Sequence, residues 1–314
     1  MTCPKCGTPV KSAGGVRHCT HCGWAESTEL TARVPVVVVG PHGKALGRPV
    51  CSALLESDRC VLIGGVTRPN SSLPSRTAGG ALIAGSFSSL TRELGIPAHV
   101  RDDVVVLYAT QGGQVLPRMQ EAHREGFMRH AVGSTDLPDE ARQCMEHLAA
   151  FGSVVLWARN FSKAATYTDW LAESTAKVLE DYDSAVLDRH HSQKVGPLSG
   201  TALMYAESIA RGRGLDPSKV VQRGGARPGA QREESDIPVA GFRLGGLPGE
   251  HEIFFANQHN LLTIGQRAYA CASFAQDAIL AIRWCAVLPL PGRRVRTMRD
   301  VMGLPDPANF HAWK

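Results

Sequence analysis

The sequence predicts an α/β protein: a doubly wound parallel sheet, a second α+β domain, and a small metal-binding module at the N-terminus. Three observations predict it. Two Cys-x2-Cys pairs stand within the first 22 residues. A β-branched run, VPVVVVG from Val34 to Gly40, enters a glycine-rich turn and then an amphipathic stretch, PVCSALLES. Strand-like and helical segments then alternate as far as Phe161, the pattern of parallel strands linked by helices.

Size and composition narrow the class. At roughly 150 residues per domain, a chain of 314 residues holds two domains with sizeable cores. Hydrophobic residues make up 43% and charged residues 20%, which excludes a mainly disordered chain. The net charge of +5 is too small for a dedicated nucleic-acid binder. The sequence has no long unbroken apolar run, so no membrane span is expected. The start, MTCPKCGTPVKS, lacks the apolar core of a signal peptide. Nine cysteines, four of them clustered, exclude a secreted disulfide scaffold and point to a reducing compartment, the cytoplasm.

The clustered cysteines are Cys3, Cys6, Cys19 and Cys22. Gly7 and Gly23 follow the two pairs and let the chain turn tightly. Four thiolates form the soft tetrahedral set that Zn2+ prefers, and such a closed site is structural rather than catalytic. His18 and His21 flank the second pair and read as surface residues of the knuckle. The expectation is a zinc ribbon over residues 1–30, acting as a folding staple or as a docking module for a protein or a nucleic acid.

The first large domain is expected over residues 31–161. Its glycine-rich turn is Gly40, Pro41, His42, Gly43, Lys44 and Ala45, continuing to Gly47. Strand, glycine turn and helix in that order cradle a pyrophosphate on backbone N–H groups. The spacing Gly-x2-Gly-x3-Gly is one residue longer than the usual fingerprint, and a glycine turn of any α/β protein would share it. A second strand runs from Cys60 to Val66 and ends at Thr67 and Arg68. An acid there would bind a ribose 2′-hydroxyl, whereas an arginine suits a 2′-phosphate. The tip therefore favours NADPH, with NADH as the alternative. Further strands are expected over 103–110, 128–135 and 153–158, with helices over 114–125 and 138–150.

The stretch that carries chemistry runs from Asp188 to Leu203, DRHHSQKVGPLSGTAL. His190, His191 and Lys194 lie within five residues. Ser199, Gly200 and Thr201 then open a helix expected over 202–210. A free helix start holds a carboxylate, Ser199 or Thr201 caps it, and the His and Lys groups offer protons.

HHSQKVGPLSGTAL resembles the signature of the 4-hydroxy-tetrahydrodipicolinate reductase family, long called dihydrodipicolinate reductase. VVVVGPHGKALGR, VTRPNSSL, AVGSTDL, ARNFS, RGGARPG, GGLPGEHEIFFA, SFAQDAILAIRW and MRDVMGL follow the same family's order, from Val34 to about Leu304. The resemblance implies a Rossmann-like domain and NAD(P)H-dependent reduction of a cyclic imine-type dicarboxylate in the diaminopimelate route to lysine. It makes His190 the general acid/base and Lys194 the proton donor. It gives the substrate carboxylates to His191, Ser199, Gly200, Thr201 and Thr135. The cofactor falls to the 40–45 loop, Arg68, the Gly133, Ser134 and Thr135 loop, and Ala158, Arg159, Asn160 and Phe161.

Several positions depart from the family. Its acid at the second strand tip is Thr67, and its Phe-Thr pair is Ala109-Thr110. Its GTTG loop reads Gly133-Ser134-Thr135-Asp136, and the glutamate two before the first histidine is Asp188. Its Asp-Ala-Pro is Gly196-Pro197-Leu198, and an arginine is replaced by Cys271. These departures keep two other functions open: a reductase of a different cyclic imine acid in specialised metabolism, and a non-catalytic nucleotide-binding module.

The second domain is expected over 162–285. Helix 166–180 starts it and strand 183–188 follows. Residues 211–236, rich in Arg, Gly and Pro, read as a mobile loop. They lack the interleaved aromatics of an RNA-binding segment. Strands over 239–244, 250–256 and 261–270 are expected to be antiparallel, and the resemblance implies that this sheet pairs between subunits of a homotetramer. A helix over 274–287 leads back, and residues 286–314 complete the first domain. Cys51, Cys60, Cys144, Cys271 and Cys285 sit mostly in apolar runs and read as buried thiols.

Overall fold

The computed structural model describes residues 2, 11–13, 16–18, 25–27, 33–135, 137–225, 233–270 and 272–309. Cys3, Cys6, Cys19, Cys22, Asp136, Cys271 and part of the Arg/Gly stretch lie outside them. Near the N-terminus, β1 (Lys11–Ala13), β2 (Val16–His18) and β3 (Ala25–Ser27) form an antiparallel sheet in that order.

The chain divides into two compact units, Met1–Phe161 with Phe274–Gly303, and Ser162–Ser273 with Leu304–Lys314. The first unit holds six parallel strands: β4 (Val34–Val39), β5 (Cys60–Val66), β6 (Ile83–Ala84), β7 (Val105–Tyr108), β8 (Arg129–Val132) and β9 (Val154–Trp157). Their spatial order is β6-β5-β4-β7-β8-β9, the doubly wound arrangement with its switch point between β4 and β7. The helices are α1 (Gly47–Glu56), α2 (Phe87–Leu94), α3 (Gly112–Arg124) and α4 (Asp139–Phe151).

The uniform valine run of β4 divides between two cores. Val36 and Val38 pack with Val50 and Leu54 of α1, and Val37 and Val39 pack with Phe87, Val115 and Met145 on the opposite face. Both faces of a parallel sheet are covered by helices, so both residues of each alternating pair must be apolar. Cys51, Cys60 and Cys285 are buried, and burial pushes their thiols up to about 11, 11 and 12; Cys144 is half-buried.

In the second unit, α5 (Lys163–Val178) and α6 (Gly200–Gly212) pack on a five-stranded sheet. Its strands are β10 (Asp183–His190), β11 (Val221–Arg223), β12 (Ile237–Arg243), β13 (Gly249–Ala256) and β14 (Leu261–Ala268), in the order β11-β12-β10-β13-β14. A short helix, α7 (Pro217–Val220), precedes β11. The chain then returns through α8 (Ala272–Val287) and α9 (Met298–Met302).

Three expectations need correction. β12 does not pair with β13: it lies parallel to β10, because β10 is inserted between the two. A helical crossover permits a parallel return, and an alternating pattern does not reveal strand direction. Residues 211–236 are not wholly a loop, since the end of α6, then α7 and β11, occupy their first half. The return to the first unit comes at Phe274 rather than 286, because Ala275, Ala278 and Ile282 of α8 bury against the β4 core. Residues 304–314 fall to the second unit, where Trp170 Nε1 donates to the Pro305 carbonyl at 2.7 Å.

Candidate active site

The first unit presents a backbone cradle at the switch point. Gly40 has φ +78°, and a Cβ there would lie 2.7 Å from the Ala109 carbonyl oxygen. A Cβ on Gly47 would lie 2.1 Å from the Gly40 oxygen. Only glycine fits where β4 turns this tightly into α1. Gly43 closes the turn, donating to the Gly40 carbonyl at 3.0 Å. No side chain caps the start of α1; in its first turn the Arg48 N–H donates to the Gly43 carbonyl at 2.8 Å and Pro49 has no N–H to offer. The extra residue before Gly47 is absorbed within the turn.

A second loop packs onto this turn. A Cβ on Gly133 would lie 2.5 Å from Leu46 Cδ2 and 2.7 Å from Phe161 Cε2. Ser134 Oγ donates to the Thr110 carbonyl at 2.5 Å, and Trp157 Nε1 donates to the Ser134 carbonyl at 3.0 Å. Gly133, Ser134 and the buried Ala158 and Phe161 therefore stand together at the carboxyl ends of β8 and β9, with Thr135 exposed beside them. Pro41 is buried, His42 Nε2 lies 3.0 Å from the Pro74 carbonyl oxygen, and Lys44 and Ala45 are exposed. Arg68 is exposed at the end of β5, and Arg118 of α3 donates to the carbonyl of its neighbour Thr67 at 2.7 Å. Arg159 and Asn160 follow β9 and are half-buried.

The second unit carries the histidines. His190 is the last residue of β10, and residues at i and i+2 on a strand share a face, so Asp188 lies beside it. His190 Nδ1 is 2.8 Å from Asp188 Oδ1. His251 Nε2, from β13, lies 3.4 Å from the same oxygen. Asp188 Oδ2 accepts from the Ser199 N–H at 2.6 Å and from Arg243 Nη2 at 3.1 Å. Burial pushes the fully buried Asp188 carboxyl up, but the bonds from His190, His251 and Ser199 outweigh it and hold the group well below the usual carboxylate range. Ser199 caps α6, accepting from the Ala202 N–H at 3.1 Å, and its Oγ is 3.0 Å from His251 Nε2. His251 Nδ1 in turn lies 3.0 Å from Gln266 Oε1 of β14.

The donor atoms of Asp188, His190 and His251 lie within 4.8 Å of one another, close enough for a metal. The Arg243 guanidinium and the Ser199 N–H already engage the other oxygen of this carboxylate, and the guanidinium charge opposes a cation there. Gly200 and Thr201 open α6 directly after it. His191 is half-buried, and Lys194 is exposed in the loop that follows, its N–H bonded to the His191 carbonyl at 3.0 Å.

The structure therefore groups the expected site residues by unit. The cradle and the Gly133 loop are assembled in the first, and the histidines, Lys194 and the α6 start in the second. Sequence reasoning missed Arg243, His251 and Gln266, and noted Asp188 only as a departure. The Asp-x-His spacing on a strand was the readable signal for Asp188.

Comparisons with known proteins agree with this architecture. A family model described as "Dihydrodipicolinate reductase, C-terminus" matches residues 166–302. The 4-hydroxy-tetrahydrodipicolinate reductase of Roseobacter denitrificans is 31% identical over 278 residues, covering 88% of this chain and 100% of that protein. The enzyme of the same name from Caulobacter vibrioides is 30% identical over 276 residues, covering 87% and 99%. Among solved structures, the dipicolinate-bound dihydrodipicolinate reductase of Paenisporosarcina sp. TG-14 has the same fold, with a TM-score of 0.63, 20% identity, and coverage of 86% of this chain and 99% of that one. With matches spanning essentially the whole length of these relatives, the chain belongs to the 4-hydroxy-tetrahydrodipicolinate reductase family.

Proposed function

We propose that this chain reduces 4-hydroxy-tetrahydrodipicolinate to tetrahydrodipicolinate with NADPH, and accepts NADH as the second donor. The observation that carries the reading is local to the second unit. An imidazole at the end of β10 and the start of α6 are tied to one buried carboxylate. The start of α6 at Gly200 and Thr201 receives a substrate carboxylate, with His191 beside it. Lys194 supplies the proton that accompanies reduction, and His190 acts as acid/base. In the first unit the 40–45 loop receives the pyrophosphate and Arg68 the 2′-phosphate. Gly133, Ser134, Thr135 and the 158–161 segment line the nicotinamide end. The nicotinamide supplies a hydride when bound; the chain's own residues bind, orient and hold the proton.

The test is NADPH and NADH oxidation by the full chain with this substrate beside a panel of cyclic imine acids. Fastest turnover of 4-hydroxy-tetrahydrodipicolinate with NADPH is expected. Turnover of another imine alone would move the chain to specialised metabolism, a reading favoured by Gly196-Pro197-Leu198 just before the α6 cap. Nucleotide binding without any turnover would make it a non-catalytic module.

Two further assignments accompany this one. Cys3, Cys6, Cys19 and Cys22 hold a structural zinc, supported by their spacing and by the short strands β1 and β2 between the two pairs and β3 just after them. One zinc per chain, lost in a Cys19→Ser/Cys22→Ser variant, is the expected metal analysis. The ribbon is free of the reductase chemistry and is suited to a protein partner. The enzyme works in the cytoplasm as a homotetramer built on the second sheet, supported by the exposed Leu261 and Leu262 of its edge strand β14 and by Phe242. Among the described residues, no helix is long and apolar enough to cross a membrane.

A further inference from the structure

The Asp188 carboxylate stands at the crossing of four elements. Asp188 pairs with His251 across the β10–β13 ladder, and His251 pairs with Gln266 across the β13–β14 ladder. The three side chains therefore form one row across the sheet, on the face that α5 and α6 cover. Two residues along β10, His190 stands in register with Arg243 of β12. The groups facing His190 are Asp188 on its own strand, His251 of β13 at a ring distance of 5.3 Å, and, through Asp188, Arg243 of β12. Arg189, Glu250 and Glu252 pair with one another on the opposite face.

We propose that Asp188, backed by His251, is the positioning residue for His190, and that its shared carboxylate fixes the acid/base ring relative to the carboxylate-binding start of α6. The inference rests on the acid/base reading of His190 given above. One oxygen lies 2.8 Å from the Nδ1 edge of the ring and so faces that edge, leaving Nε2 as the ring atom for exchange. The other oxygen holds the Ser199 N–H, the cap residue immediately before Gly200 and Thr201. Ring and helix start are thereby referred to one rigid, fully buried group. On the other side of the ring the Gly249 backbone approaches closely enough that an added Cβ would lie 3.0 Å from Nε2. A packing role alone would not require a charge: asparagine has the same shape as Asp188.

The test is a double-mutant cycle in the full chain, read as turnover of 4-hydroxy-tetrahydrodipicolinate with NADPH. Asp188→Asn is expected to lower kcat roughly 10- to 100-fold, the span of a misplaced acid/base group, while KM changes less than about threefold. In a His190→Asn background, whose amide keeps a donor toward Asp188, the same substitution should change kcat by less than about twofold. Asp188→Glu should restore most of the activity. Gly249→Ala keeps every charge and crowds Nε2, and should lower kcat in the same KM-sparing way; it carries the test if Asp188→Asn does not fold. Additive losses from Asp188→Asn and His190→Asn, or full activity in Gly249→Ala, would overturn the positioning role alone. Full activity in His190→Asn would overturn the acid/base reading and the positioning role with it.

Discussion

The phosphate loop of the first unit and the histidine network of the second are built from opposite materials. The loop is backbone: Gly40, Gly43 and Gly47 contribute the absence of side chains where strand, turn and helix cross. The network is side chain: one buried carboxylate with two imidazoles, a guanidinium and a hydroxyl around it. The loop leaves its side chains at Lys44 and Ala45 exposed. It does not tolerate a Cβ at its crossing points. The network reaches the surrounding loop through Arg243, whose Nε donates to the Gly196 carbonyl at 3.2 Å, and it does not tolerate loss of a charge. A buried carboxylate left unpaired costs several kcal/mol.

The contrast can be broken most severely at Gly47. Gly47→Ala places a methyl 2.1 Å from the Gly40 oxygen, a backbone atom that cannot rotate away. A loss of about 3 kcal/mol or more is expected, seen as a collapsed thermal midpoint with no NADPH binding. An unchanged midpoint would show that the loop is not closed as described. Lys194→Ala comes next. The side chain is exposed, so the thermal midpoint should hold while kcat falls roughly 10²- to 10⁴-fold. Retained turnover would remove Lys194 from the mechanism. Arg68→Ala should raise KM for NADPH about tenfold, the value of one charge-assisted hydrogen bond, and leave NADH unaffected. Equal effects on both would assign the 2′-phosphate to another group.

The smallest effect concerns acid. Asp188 has its folded-state pKa depressed, so its stabilisation is full above the unfolded value of about 3.9 and is lost as pH falls below that value toward the folded pKa. The urea midpoint should therefore drop between about pH 4 and pH 2, and Asp188→Asn should flatten that drop. An unaltered acid limb in the variant would show that the carboxylate is not held ionised by its partners.

Much of this molecule is written locally. VPVVVV of β4 and CVLIGGV of β5 are continuous apolar runs, and they form central parallel strands as such runs must. The segment between Thr67 and Val104 was less legible. It contains the two-residue strand β6 and the helix α2, both too short for a periodicity to stand out. The signals were present all the same: Ser86 caps α2 by accepting from the Ser89 N–H, and Gly95 ends it in the left-handed conformation. In the second unit the α6 start was readable from Ser199-Gly200-Thr201, because capping depends on neighbouring residues alone.

By itself the sequence determined the parallel sheet of the first unit, the glycine turn at its switch point, and the motif that places two histidines and a lysine before a capped helix. These follow from local rules: alternation, backbone freedom and capping act over a few residues. Tertiary structure decided which valine faced which core, the parallel setting of β12 beside β10, and the encounter of Asp188 with His251 and Arg243. His251 lies 63 residues beyond Asp188 in the chain and meets it only because β13 is the antiparallel neighbour of β10. Strand direction and register are set by which elements pack together, and no short stretch of sequence carries that information.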